Sequence, residues 1–203
     1  MTAECLATAQ RNLGYVRNTH SLYSILQHQT HDVLDLSDLL RSEVVMAVSA
    51  LDQFVHELIR QGMMDIFDGV RSIRTEQFLK FPLCLRVLSF GTPGTPALTR
   101  EAYELEVVSY LALRTYQRPD DISQGLHLIS PGCPWETAQR LTGTPAEDLR
   151  LRLRLVVDER NAIVHQAHTD PFSHSRIQIW EQDTKEATEF IETIIGALFQ
   201  HCV

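Results

Sequence analysis

The chain has 203 residues, 44% hydrophobic and 22% charged, which is the balance of a soluble globular protein long enough to bury a sizeable core as one domain, residues 1–203. A formal net charge of −8 excludes a protein that coats nucleic acid through overall charge, although the basic residues, 18 in all, are nearly all arginine and leave a local patch open. Four scattered cysteines, Cys5, Cys84, Cys133 and Cys202, form no C-x-x-C pair and read as reduced thiols of a cytoplasmic protein; no basic-then-apolar leader and no membrane-length apolar run is visible.

Helical periodicity dominates. Leu6, Ala9, Leu13 and Val16 begin a first amphipathic stretch that continues towards Leu26. A longer second stretch runs from Leu36 through Leu40, Val44, Val48, Leu51 and Val55 to Ile59, with Gly62 expected to loosen its end. A third covers Thr75 to Phe90, divided by Pro82, and the Gly/Pro-rich segment 91–96 is a break. Further helices read over Thr99–Tyr116, Asp120–Ile129 and Pro134–Leu141. Thr144, Pro145 and Glu147 have the spacing of a capping box with Pro at the first helical position. They open a helix over Pro145–Ala167.

Within that helix Leu149 to Leu155 alternates leucine with arginine, a period-two pattern that alone would read as strand. Leucine and arginine are good helix formers, and Asp148–Arg152 and Arg154–Asp158 are spaced i,i+4, so helix is the expectation. Leucines then fall on two sides, as between bundle layers or at a subunit interface. One short strand or hairpin is expected at Arg176–Trp180, before a last helix opened by Asp183–Glu186 and buried along Phe190, Ile191, Ile194, Ile195 and Leu198. The fold class is all-α, a helical bundle with short extra helices.

Chemistry concentrates in Arg160-Asn161-Ala162-Ile163-Val164-His165. Arginine offers a planar fork of donors suited to phosphate oxygens, and histidine carries a proton either way near neutrality. On a helix the two are offset by about 140° around the axis and about 7.5 Å along it. Asp158, Asn161 and His165 share one stripe, so either of the first two could orient the imidazole while Arg160 reaches round from the flank. So wide an offset points to a second copy of the helix, brought up by a two-fold axis, to complete the site. The same residues also fit a bland reading, with Arg160 paired to Asp158, Glu159 or a residue of another helix and His165 favoured by the helix C-terminus.

The R-N-x-x-x-H motif resembles the signature of the HEPN superfamily. Val45–Asp52 leading to His56-Glu57-Leu58, Gln117–Ile122, Asp170-Pro171 and Ala187–Glu192 resemble its RiboL-PSP-HEPN branch. The resemblance implies a HEPN-type bundle that dimerises through its motif helices and cleaves RNA without metal or other cofactor. Attack of a ribose 2′-OH would leave a 2′,3′-cyclic phosphate and a 5′-OH. It assigns His165 as general acid or base, Arg160 to the developing charge on phosphoryl oxygens, and Asn161 to positioning. Asp158, His168 and Arg154 are candidate supporting or substrate-binding residues. It also implies a bacterial toxin or antiphage-defence setting, with an antitoxin or sensor protein as partner and no membrane; the alternative is a non-catalytic HEPN module that binds RNA or a partner protein.

Other clusters read as structural. His165, His168, Asp170 and His174 lack a zinc-ligand spacing. Asp52, His56 and Glu57 are not H-E-x-x-H, since Arg60 holds the last position, and read as a side-chain hydrogen bond or ion pair inside the bundle. Trp135 and Trp180 read as packing residues.

Overall fold

A computed structural model describes residues 3–30, 33–72, 75–83 and 99–203, and among them the protein is all-α. Eight helices follow in order: α1 Ala3–Thr30, α2 Ser37–Phe67, α3 Glu76–Leu79, α4 Arg100–Ala112, α5 Pro119–Leu126, α6 Pro134–Thr142, α7 Ala146–Gln166 and α8 Glu181–Cys202. The long α2 is the central post, touching α1, α4, α5, α7 and α8, while α6 bridges α7 and α8. One apolar core draws on every helix except α3, with Leu13, Leu51, Leu58, Met63, Ile122, Trp135, Leu153 and Ile191 among its fully buried side chains. No helix among the described residues is long and apolar enough to cross a membrane.

Gly62 does not loosen α2, which continues to Phe67 with Met63, Met64 and Ile66 buried. A Cβ at Gly62 would lie 2.7 Å from Ile129 Cγ2, so the glycine admits the chain that follows α5 rather than ending the helix. Of the third stretch, the described part, residues 75–83, holds the single turn of α3, capped by Thr75 Oγ1 accepting from Phe78 N–H; residues 84–98, with Cys84 and the 91–96 break, lie outside the described residues. Helix α4 stops at Ala112, short of Tyr116, because α2 captures the following chain. His56 Nε2 lies 3.2 Å from the carbonyls of Leu111 and Arg114, and Asp52 accepts from Tyr116 N–H at 2.6 Å and from Gln117 Nε2 at 3.0 Å.

Two caps differ from the sequence reading. Thr144 does not cap α7; Pro145 is the N-cap residue, and Ala146 N–H donates instead to Gln139 Oε1 of α6 at 3.0 Å. Helix α8 starts at Glu181, before Asp183, and Thr184 Oγ1 bonds back to Trp180 O. The Leu/Arg alternation is helical throughout, with Leu149 and Leu153 in the core and Leu151 and Leu155 exposed. No strand forms at 176–180. A single antiparallel bridge joins Thr169 to Arg176, and the ladder goes no further because Ile177 O is taken by Arg41 and residues 170–175 turn around Asp170.

Candidate functional site

Helix α7 is anchored by Leu149, Leu153 and Val157, one residue per turn, and no residue beyond Val157 on this helix is buried. The motif therefore occupies two turns that leave the core. Arg160 is half-buried; its Nη1 donates to Asn161 Oδ1 at 3.0 Å, and its Nε is buried without a hydrogen-bond partner. Neither neighbouring carboxylate pairs with it. Asp158 Oδ1 accepts from Arg118 at 2.7 Å, and Glu159 Oε1 lies 2.9 Å from His168 Nε2. Among the described residues Arg160 makes no ion pair, so its charge stays available.

His165 is exposed in the last turn, and neither Asp158 nor Asn161 orients it: the first serves Arg118 and the second Arg160. By helical spacing His165 continues the outward stripe of Leu151, Leu155, Asp158 and Ala162. Leu151 and Leu155 are 53% and 61% exposed, so the imidazole ends an apolar strip that faces away from the core. Trp180 is exposed nearby in the cavity, about 510 Å³, that Leu155 and Glu159 help to line, whereas Trp135 is buried and donates to Ser123 Oγ.

Two of the three arginines of the alternation meet at Asp120 and the third turns to α8. Arg150 donates to Asp120 Oδ1 at 2.5 Å, Arg154 lies 3.7 Å from Asp120 Oδ2, and Arg152 sits over the Phe190 ring. Arg154 therefore points towards the start of α5, about 9 Å along the helix from Arg160. His168 has no accessible surface and so cannot offer its ring at the mouth of a cleft. Asp170 organises the exposed turn after it, accepting from the N–H groups of Ser173 and Phe172; these bonds hold its carboxyl below the usual range. Among the described residues no three His, Cys, Asp or Glu side chains converge as a metal-ligand set.

Two buried charges on α2 escaped the sequence reading. Arg41, 5% exposed, donates through Nε to His168 Nδ1 at 3.2 Å and through Nη2 to Ile177 O at 2.7 Å. Glu43, 2% exposed, accepts from Thr188 Oγ1 and lies 3.0 Å from His20 Nδ1; burial pushes its carboxyl up. Both signals were present as charged residues on the apolar stripes of α2, Arg41 with Val44 and Val48, Glu43 with Leu40 and Ala47.

Further along α2, Asp52 and His56 form the expected ion pair. Both imidazole nitrogens face oxygen acceptors, Nδ1 towards Asp52 and Nε2 towards the C-terminal carbonyls of α4, an arrangement that only the doubly protonated ring satisfies. The hydrogen bond to the Asp52 side chain is the main reason that His56 is pushed up to about 9. Burial alone would raise Asp52, but its bonds from His56, Tyr116 and Gln117 together bring it below the usual carboxylate range. Comparison of the chain with protein-family models, characterised proteins and solved structures returned no match.

Proposed function

We propose that the protein is a metal-independent endoribonuclease acting as a homodimer through α7, with a composite site built from Arg160, Asn161 and His165. The observation that carries this reading is Arg160, which makes no ion pair among the described residues: Asp158 is paired with Arg118, and Glu159 stands beside His168. A half-buried guanidinium without a counter-ion is suited to an anion that arrives from outside, and phosphate fits its fork of donors. The exposed leucines on the stripe of His165 support a second α7 packing there, which would bring two imidazoles and two guanidinium groups round one cleft.

In the proposed reaction one imidazole takes the proton of a ribose 2′-OH as its oxygen bonds to the adjacent phosphorus. The bond from phosphorus to the 5′ oxygen breaks, and that oxygen takes a proton from the second imidazole. Arg160, held by Asn161 Oδ1, neutralises the charge that gathers on the phosphoryl oxygens. The products are a 2′,3′-cyclic phosphate and a 5′-OH. The nucleophile belongs to the substrate, so the chemistry calls for no metal, and in-line attack favours flexible single-stranded RNA. A toxin or antiphage-defence role, restrained by an antitoxin or sensor protein in the cytoplasm, belongs to the same proposal.

One observation favours the second reading, a non-catalytic module that binds RNA or a partner protein: among the described residues no side chain orients His165. Incubating the purified protein with a mixed RNA pool in EDTA separates the two. Cleavage with cyclic phosphate ends is expected, and a folded dimer that binds RNA without cutting it would overturn the catalytic reading.

A further inference from the structure

We propose that Arg41, His168 and Glu159 are positioning residues, a buried polar brace that fixes the end of α7 on which Arg160 and His165 stand; their catalytic consequence rests on the ribonuclease reading above. The apolar anchors of α7 end at Val157, so something other than the core sets the orientation of the last two turns. Helix α7 closes with Ala167 and His168 both in the left-handed region, at φ 49° and 52°, and His168 N–H donates to Ala162 O at 3.0 Å. That reversal returns the His168 ring beneath the motif, where it is fully buried between α2 and α7.

Only one ring nitrogen makes a hydrogen bond among the described residues. Nδ1 accepts from Arg41 Nε–H, so the ring proton resides on Nε2 and faces Glu159, whose Oε1 is 2.9 Å away though off the ideal N–H axis. Arg41 also holds Ile177 O, and Ile177 N–H donates to His168 O at 2.7 Å, so one guanidinium clamps both ends of the 168–177 loop. The brace meets α7 at the residue next to Arg160. Standing 2.9 Å from Glu159 Oε1, the ring backs the motif turns and keeps that carboxylate beside itself and off Arg160.

The test compares His168→Leu with His168→Gln in steady-state cleavage of a short single-stranded RNA. Glutamine keeps an acceptor for Arg41 and a donor for Glu159, whereas leucine keeps only bulk. H168L is expected to lower kcat about tenfold or more with KM little changed, and H168Q to restore it to within about threefold of wild type. A folded H168L with wild-type kcat, or an H168Q as impaired as H168L, overturns the proposal. If H168L does not fold, Glu159→Ala, at a partly exposed side chain, replaces it with the same expected loss and the same overturning result.

If the wild-type protein cuts no RNA, the ribonuclease reading fails and amide hydrogen exchange judges the brace. Exchange at Ala162–His168 is then expected to quicken about tenfold in H168L, or in E159A, with α1 unchanged, and unaltered exchange overturns it.

Discussion

The two halves of α7 are held by different means. The first half is fixed by Leu149, Leu153 and Val157, which enter the core once per turn; the second carries the motif and is fixed by Asp158 on Arg118 and Glu159 against His168. Apolar burial is strong and sets which face of the helix turns inward, but it is nearly indifferent to where each outward polar side chain then points. Hydrogen bonds and ion pairs hold less strongly but fix that direction, and they leave the helix surface open to solvent. A helix that must be both anchored and accessible can divide the tasks along its length.

That division can be broken from either side. On the proposed ribonuclease reading the largest expected effect is on chemistry: Arg160→Ala and His165→Ala should each reduce RNA cleavage by about 10²–10⁴-fold, measured in EDTA, with thermal melting unchanged because neither side chain is in the core. Retained cleavage in either variant would remove the motif from the reaction. Leu153→Ala should do the opposite, costing about 2–5 kcal/mol in denaturant unfolding while folded molecules keep their turnover.

A pH series sharpens the contrast with the polar latch on α2. His56 is pushed up to about 9 by its bond to Asp52, above the roughly 6.5 of an unfolded histidine. Its contribution is therefore fully present below about pH 6.5 and is lost as pH rises through about 9, a fall on the order of 2–3 kcal/mol in unfolding free energy. His56→Gln should flatten that slope; an unchanged slope would locate the titration elsewhere. The smallest effect is expected from Arg118→Ala, whose ion pair with Asp158 joins two largely exposed side chains and should cost less than about 1 kcal/mol by urea titration.

The helices were legible because periodicity reports which face is buried, and even the Leu/Arg alternation yielded once propensity and i,i+4 charges were weighed against it. Caps were less legible: Thr144 and Asp183 have the right spacing, but Gln139 of α6 supplies the group that Ala146 needs, and no local pattern encodes a partner from another helix. The motif shows the same limit. Spacing placed Asp158 and Glu159 within reach of Arg160, yet Arg118 and His168 claim them, so the isolation of Arg160 is a property of tertiary structure. His168 read as a supporting or substrate-binding residue, since nothing in the sequence signals that the chain would reverse through two left-handed residues and bury it.

Arg41 and His56 stand on the same uninterrupted helix, fifteen positions apart, or about 22 Å along its axis. At that distance changes at the two are expected to combine additively. The alkaline tolerance of the fold can therefore be retuned at His56 while the geometry of the motif is retuned at Arg41, two dials on one shaft that turn without disturbing each other.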